Sequence, residues 1–362
     1  MRTEKLNSLD VLVFCHYADF NPDGSSRLLS SLEDDFQTKQ LSHHKYVLPS
    51  RTSRSKTLGL SNLTRSTFLF TALWRLSVRA LPKFPYLHTL FANQVKNKMV
   101  KLIKRERPRL VVVTGEFLPL NLAAAEVGVE TVEILHGRNY QQIEWGYDAR
   151  STEELPNHLV CFDQQSLTTF TPIRRLGVEL HHAKSQLPFK VEDSRVPPKA
   201  TDKLSATVLV PGQWGKGFIG PINFSNELLR NLITRLRTSS FKIRIIFVPH
   251  PVQLITKRYR KDLQVISQLA EEYNHLVLPS NILRISVHKR YLCLGYDSGL
   301  MTDLSDINIP SIDIEAFWAK VSAAPYEDLG SIIQSASAFP QLPPREDKLP
   351  SLSEIIIKQI PK

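Results

Sequence analysis

Cysteine, long apolar runs and, over one long stretch, acid are what this 362-residue chain lacks. Its three cysteines, Cys15, Cys161 and Cys293, are far apart and each sits in or beside an apolar run. That excludes a disulfide framework and a thiolate zinc site, and predicts buried thiols in a reducing cytoplasm. No apolar run approaches the ~20 residues a membrane-spanning helix needs. The longest candidate, around Phe68-Leu69-Phe70-Thr71-Ala72-Leu73-Trp74, is short and runs into Arg75. Residues 1–7 lack the apolar core of a secretory signal, so a cytoplasmic location is expected. No Gly-x-Ser-x-Gly elbow, RNP, helix-turn-helix or finger pattern occurs, and nucleic acid is not an expected partner. His43-His44 and His181-His182 have no partners at metal-ligand spacing, so no metal is expected.

Acid is nearly absent from residues 51–109, which carry fourteen Lys or Arg residues and one acidic residue, Glu106. With a formal charge of +11 for the chain, that segment should seek a polyanion: an acidic glycan or anionic lipid headgroups. Residues 65–81 mix large apolar groups with arginines. As an interfacial helix they would insert Phe70 and Trp74 and hold Arg75 and Arg79 at the headgroups. The competing reading is a helix packed on its own domain with a solvated basic side.

The remainder is rich in short apolar runs alternating with helical patterns. Strands are predicted at 10–15, 108–114, 129–135 and 158–162, and helices at 119–127, stopped by Gly128, and 165–176, stopped by Gly177. Strand, helix, glycine and strand at this spacing make a βαβ unit and hence a parallel sheet. A second cycle follows a Pro-containing interruption, with strands at 206–210, 242–248, 276–278, 291–294 and 312–314 and helices at 226–237 and 261–274. The length fits two domains. The expected organisation is an N-terminal domain over 1–190, a linker over 191–205, a second domain over 206–345 and a C-terminal helix within 346–362.

Two histidines fall directly after predicted strands, in Leu135-His136-Gly137 and Val248-Pro249-His250-Pro251. Ligands of open α/β sheets bind beyond the carboxyl ends of the strands, where a histidine can act as a base or, when charged, hold a phosphate. Each histidine can equally be a strand-end residue satisfied by a backbone carbonyl. Glu116, just past the strand at 108–114, can orient a histidine or act as a base. The loop holding Gly212, Gly215, Lys216 and Gly217 suits a phosphate against backbone amides, although it is no Walker loop. Ser298 opens a helix with Gly299, and Asp303 stands within its first turns, where a carboxylate can meet ribose hydroxyls. Asp19 and Asp23, after the first strand, and Gly137 and Arg138, after His136, are acceptor-side candidates.

In the order of these pieces the chain resembles bacterial surface-polysaccharide transferases of the GT-B architecture. The group comprises polysialyltransferases, capsule Kdo transferases and CDP-glycerol glycerophosphotransferases. Leu135-His136-Gly137 is similar to the His-Gly motif whose histidine is the base in the glycerophosphotransferases, and Val248-Pro249-His250-Pro251 to the His-Pro motif that contacts donor phosphate. Tyr296-Asp297-Ser298-Gly299 stands where the family has a phosphate turn with two adjacent hydroxyls before a glutamate. Here one hydroxyl is replaced and Asp303 takes the glutamate's place. The resemblance implies two Rossmann-like domains with parallel sheets facing a central cleft, and a nucleotide-activated, CMP- or CDP-linked donor as substrate. It also implies a glycan or lipid-linked acceptor, metal-independent transfer and no cofactor. A nucleotide-sugar 2-epimerase and a catalytically silent glycan-binding or assembly subunit are the alternatives.

Overall fold

A computed structural model describes residues 9–16, 30–47, 61–62, 65–80, 84–135, 137–138, 140–184, 189–192, 205–212, 230–231, 233–235, 242–250, 253–254, 259–295, 298–323, 329–341 and 349–361. The chain divides into two units, Met1–Gln186 with Glu346–Lys362, and Leu187–Arg345.

The first unit runs β1 (Leu9–Cys15), α1 (Ser30–Thr38), β2 (His43–Val47), β3 (Ser61–Asn62), α2 (Arg65–Ala80), α3 (Pro85–Glu106), β4 (Pro108–Thr114), α4 (Leu118–Val127), β5 (Glu130–Ile134), β6 (His158–Cys161), α5 (Gln164–Phe170) and β7 (Glu179–His182). Among the described residues seven strands form one sheet in the order β3-β2-β1-β4-β5-β6-β7, every pair parallel. A parallel sheet is covered on both faces, which is why β4 reads as an unbroken apolar run; Leu110, Val111, Val112 and Val113 are fully buried. On one face Phe70, Trp74, Val95, Met99, Ile103 and Leu120, from α2, α3 and α4, pack against Leu12, Phe14, Val111 and Val113. The expected helix stop at Gly128 is real: it caps α4 at φ 77°, a left-handed conformation that glycine adopts without a Cβ penalty, and its N–H bonds Ala124 O.

The second unit runs β8 (Lys190–Glu192), β9 (Ser205–Pro211), β10 (Lys242–Val248), α6 (Arg260–Glu272), β11 (Leu276–Val277), β12 (Arg284–Ser286), β13 (Arg290–Gly295), α7 (Gly299–Ser305), β14 (Ser311–Asp313), α8 (Ile314–Ala323) and α9 (Leu329–Ala336). Five of these strands form a parallel sheet, β11-β10-β9-β13-β14, and β8 pairs with β12 apart from it. Ile266, Leu269, Phe317, Val321, Ile332 and Ile333 cover one face of this sheet. The last helix, α10 (Leu352–Lys358), belongs to the first unit. Its Leu352, Ile355 and Ile356 join Leu32 and Phe36 of α1 on the second face of the seven-stranded sheet.

Both sheets are wound alike. With the β8–β12 ribbon set aside, each centre reads third-second-first-fourth-fifth strand. This doubly wound order makes both units Rossmann-like and puts a switch point between β1 and β4 in one and between β9 and β13 in the other. The interfacial picture of residues 65–81 needs correction: Phe70 and Trp74 pack inward on the sheet, and Trp74 meets Phe117 edge-on at 6.1 Å between centroids. A helix beside a fully apolar sheet face buries its largest side chains there.

Candidate functional site

At the carboxyl edge of the first sheet, Glu116 lies two residues past β4. One oxygen, Oε1, accepts the Leu118 N–H at 3.3 Å and the Arg150 Nη2 donor at 2.9 Å, with both side chains largely buried. The Arg150 guanidinium lies 5.0 Å from the centroid of the Tyr147 ring. The Tyr147 hydroxyl in turn donates to Glu133 Oε1 at 2.5 Å. Glu133 sits on β5 and is wholly buried; burial pushes its carboxyl up to about 8, opposed by the Tyr147 hydrogen bond and reinforced by the Glu116 charge. At neutral pH Glu133 is therefore mostly protonated, while Glu116 is engaged by Arg150. Glu133 Oε2 and Arg150 Nη1 are buried without a hydrogen-bond partner among the described residues.

His136 lies outside the described residues, as do Asp19 and Asp23. Leu135 and Gly137, on either side of His136 in sequence, are described: Leu135 is fully buried, and a Cβ on Gly137 would stand 2.8 Å from the Tyr140 hydroxyl. Arg138 is half-buried. Tyr140 N–H donates to Ser166 Oγ at 3.2 Å, and its O accepts from Thr169 Oγ1 at 2.7 Å, so the segment after the His-Gly motif is tied to α5. Tyr140, Trp145, Tyr147 and Phe170 form one aromatic cluster. Within it Trp145, at φ 57° and ψ 13°, holds a left-handed conformation costly for a bulky residue.

In the second unit Gly212 follows β9, His250 follows β10 and Ser298 follows β13, three strands that are neighbours in the sheet. Gly212 N–H donates to Val248 O at 2.6 Å. A Cβ at Gly212 would overlap the His250 backbone nitrogen and Gln253 Oε1, so glycine is what lets the His250 turn close against the end of β9. His250 N–H donates to Gln253 Oε1 at 2.7 Å, and Gln253 N–H donates back to His250 O at 2.8 Å. The first of these is half of a capping box, and it fixes the backbone that carries the histidine. Ser298 occupies the N-cap position of α7 but makes no side-chain capping bond, and Gly299 begins the helix. Asp303 is buried, at 1% exposure. Gly215, Lys216, Gly217 and Asp297 lie outside the described residues.

The fold thus joins Gly212 to His250, and it couples Glu116 to Arg150. The sequence reading missed Glu133, Tyr147, Arg150 and Gln253. Two of these carry a signal. A glutamate inside the apolar run of a doubly covered strand is anomalous, and a glutamine three residues after His250 fits a cap. Tyr147 and Arg150 come from an irregular segment whose contacts depend on the tertiary fold. The three cysteines are free and buried, as expected.

No protein-family model and no curated protein matches the chain. Solved structures similar to it include a UDP-N-acetylglucosamine 2-epimerase from Rickettsia bellii, with TM-score 0.48 and 12% identity over 98% of this chain and 96% of that one. MurG of Acinetobacter baumannii is similar with TM-score 0.47 and 11% identity over 97% and 99% of the two chains. An α,α-trehalose 6-phosphate synthase from Burkholderia multivorans gives TM-score 0.46 and 12% identity over 91% and 93%.

Proposed function

We propose that this chain is a metal-independent glycosyltransferase or glycerophosphotransferase of GT-B type. Its second unit takes a nucleotide-activated donor, and its acceptor is a hydroxyl of a growing surface glycan or lipid-linked glycan. The observation that carries the reading is the convergence of Gly212, His250 and Ser298 at the carboxyl ends of three adjacent strands around a switch point. That edge is where open α/β sheets hold phosphates, against backbone N–H groups and helix starts.

Transfer to a hydroxyl requires removal of the acceptor proton while the bond from the transferred group to the nucleotide phosphate breaks. His136 is the proposed base. Glu116, held by Arg150, fits the role of orienting it better than that of a second base, because its charge is already engaged. His250, Ser298 and the loop that starts at Gly212, whose own N–H is already given to Val248 O, are proposed to stabilise the charge that develops on the leaving phosphate. The cytidine donor rests on the sequence resemblance, and so does the polyanionic acceptor, for which the basic segment supplies charge. Gln94, Asn97, Lys98, Lys101 and Lys104 line a groove along α3 in that segment.

A thermal-shift panel of CMP, CDP, UDP, GDP and ADP tests the donor assignment, since a ligand bound only by the native state raises Tm. CMP or CDP should shift Tm most; equal or absent shifts overturn the cytidine reading. His250→Ala should weaken nucleotide binding. His136→Ala should spare it and lower turnover by roughly two to four orders of magnitude, as for a lost general base. Epimerisation of a donor sugar without an acceptor would replace transfer by the epimerase reading.

A further inference from the structure

At the opposite, amino-terminal edge of the first sheet the fold assembles a cluster that the spacing of histidines in the sequence conceals. His158 opens β6 and is paired in register with Glu179, which opens β7; His181 lies two residues on along β7 and shares its face. His158 Nδ1 is 3.1 Å from His181 Nε2 and 3.4 Å from Glu179 Oε2, and His181 Nε2 is 3.8 Å from Glu179 Oε1. A tetrahedral zinc with bonds of ~2.0–2.1 Å sets its ligand atoms about 3.3–3.4 Å apart. The two His158 distances bracket that value, and one ligand atom from each of the three residues lies within 4.8 Å of the others, so a small closure of the Glu179 carboxylate brings all three donors onto one face of a zinc tetrahedron. His158 is nearly buried, while Glu179 is 61% exposed and leaves the fourth position facing water. The other ring nitrogen of His158, Nε2, faces Glu130 Oε2 at 3.4 Å, the carboxylate–histidine arrangement that orients a metal-binding imidazole.

We propose that His158, His181 and Glu179 form a zinc-class metal site, with Glu130 as its positioning carboxylate, which clips the edge strand β7 to β6. Two imidazoles and one carboxylate suit Zn²⁺, Co²⁺ or Ni²⁺ and disfavour Mg²⁺ and Ca²⁺, which prefer oxygen ligands. Within the first unit the site lies at the edge of the sheet opposite Glu116 and uses none of the residues assigned above to donor or acceptor, so it neither needs nor supports the transferase reading.

The test is titration of the tag-free, full-length protein with ZnCl2 by calorimetry, and with CoCl2 by visible absorption. Expected are one site per chain at micromolar affinity or better, the intense d–d bands of tetrahedral Co²⁺, a rise in Tm with Zn²⁺ and none with Mg²⁺. Glu130→Gln should weaken binding by about 10- to 100-fold, as outer carboxylate losses do. His181→Gln should abolish it. Absence of Zn²⁺ binding, an octahedral Co²⁺ spectrum, or unchanged affinity in a folded His181→Gln protein overturns the proposal. Should His181→Gln fail to fold, Glu179→Gln on the exposed side decides: retained wild-type affinity and spectrum there overturn it equally.

Discussion

Glu133 is the residue whose setting departs most from what its chemistry prefers. A carboxyl wholly inside the protein, with one oxygen bonded by Tyr147 and the other without a partner among the described residues, is far easier to keep neutral than charged. Its pKa rises from 4.5 to about 8, so between those values the folded protein holds a proton that the unfolded chain has released. Stability must therefore fall as pH climbs from 4.5 toward 8 and level off above. At ~1.4 kcal/mol for each pH unit crossed, the whole loss is a few kcal/mol. Glu133→Gln keeps the shape and removes the titration. Melting curves from pH 5 to 9 should show its Tm matching the wild type at pH 5 and exceeding it at pH 8.5. An unchanged slope would place the proton elsewhere. At this scale the sequence was only partly legible. Glu133 is a charge inside an apolar strand pattern, a signal the sequence reading passed over, and nothing in the spacing tied it to Tyr147, and through Arg150 to Glu116. In the same way His181 found its partner His158 only because β6 and β7 lie side by side.

Among the elements, those with a strong apolar period were readable to within a residue or two. β4, with its continuous Leu110 to Val113 run, and α4, stopped at Gly128, follow the pattern closely. β2 and β7 escaped because edge and near-edge strands with adjacent histidines, His43-His44 and His181-His182, carry no continuous apolar run. In α2 the helix was legible but its orientation was not, since both faces carry large apolar groups. Phe70 and Trp74 turn to the sheet, while Leu69 and Leu76, seven residues apart on one stripe, stay 55% and 51% exposed. The two exposed leucines, inside a segment of fourteen cations and one acid, allow a test of whether an anionic lipid surface is the polyanion this segment meets. Vesicles containing anionic lipid should bind the protein at low salt and release it as ionic strength shortens the Debye length. Leu69→Glu with Leu76→Glu should cut that binding severalfold and leave nucleotide-induced Tm shifts intact. Binding that ignores both changes would transfer the role to the lysine face of α3 and favour a soluble acidic glycan.

For the molecule as a whole, two parallel sheets were foreseeable from two cycles of strand and helix, but their shared winding order and the path of the chain were not. A terminal amphipathic helix shows that it must cover something; it does not show what. The chain completes its first unit, builds the second, and then returns α10 to the first sheet, where Leu352, Ile355 and Ile356 are 1%, 4% and 0% exposed. Ser351 caps this helix through Glu354 N–H, and Ser353 Oγ donates to Asp35 of α1, so the return is anchored by polar contacts as well. Three buried aliphatic side chains at ~1.5–3 kcal/mol each are comparable with the ~5–15 kcal/mol that holds a whole domain together. Removing residues 346–362 should therefore unfold the first unit selectively. Hydrogen exchange of the truncated chain should show β1, β4 and β5 losing protection while β9, β10 and β13 keep theirs. If both sheets lose protection together, the two units fold as one cooperative body and the helix is a closure for the entire chain. If neither does, the faces of α1 and the sheet find another cover, and burial by α10 contributes far less than its area implies.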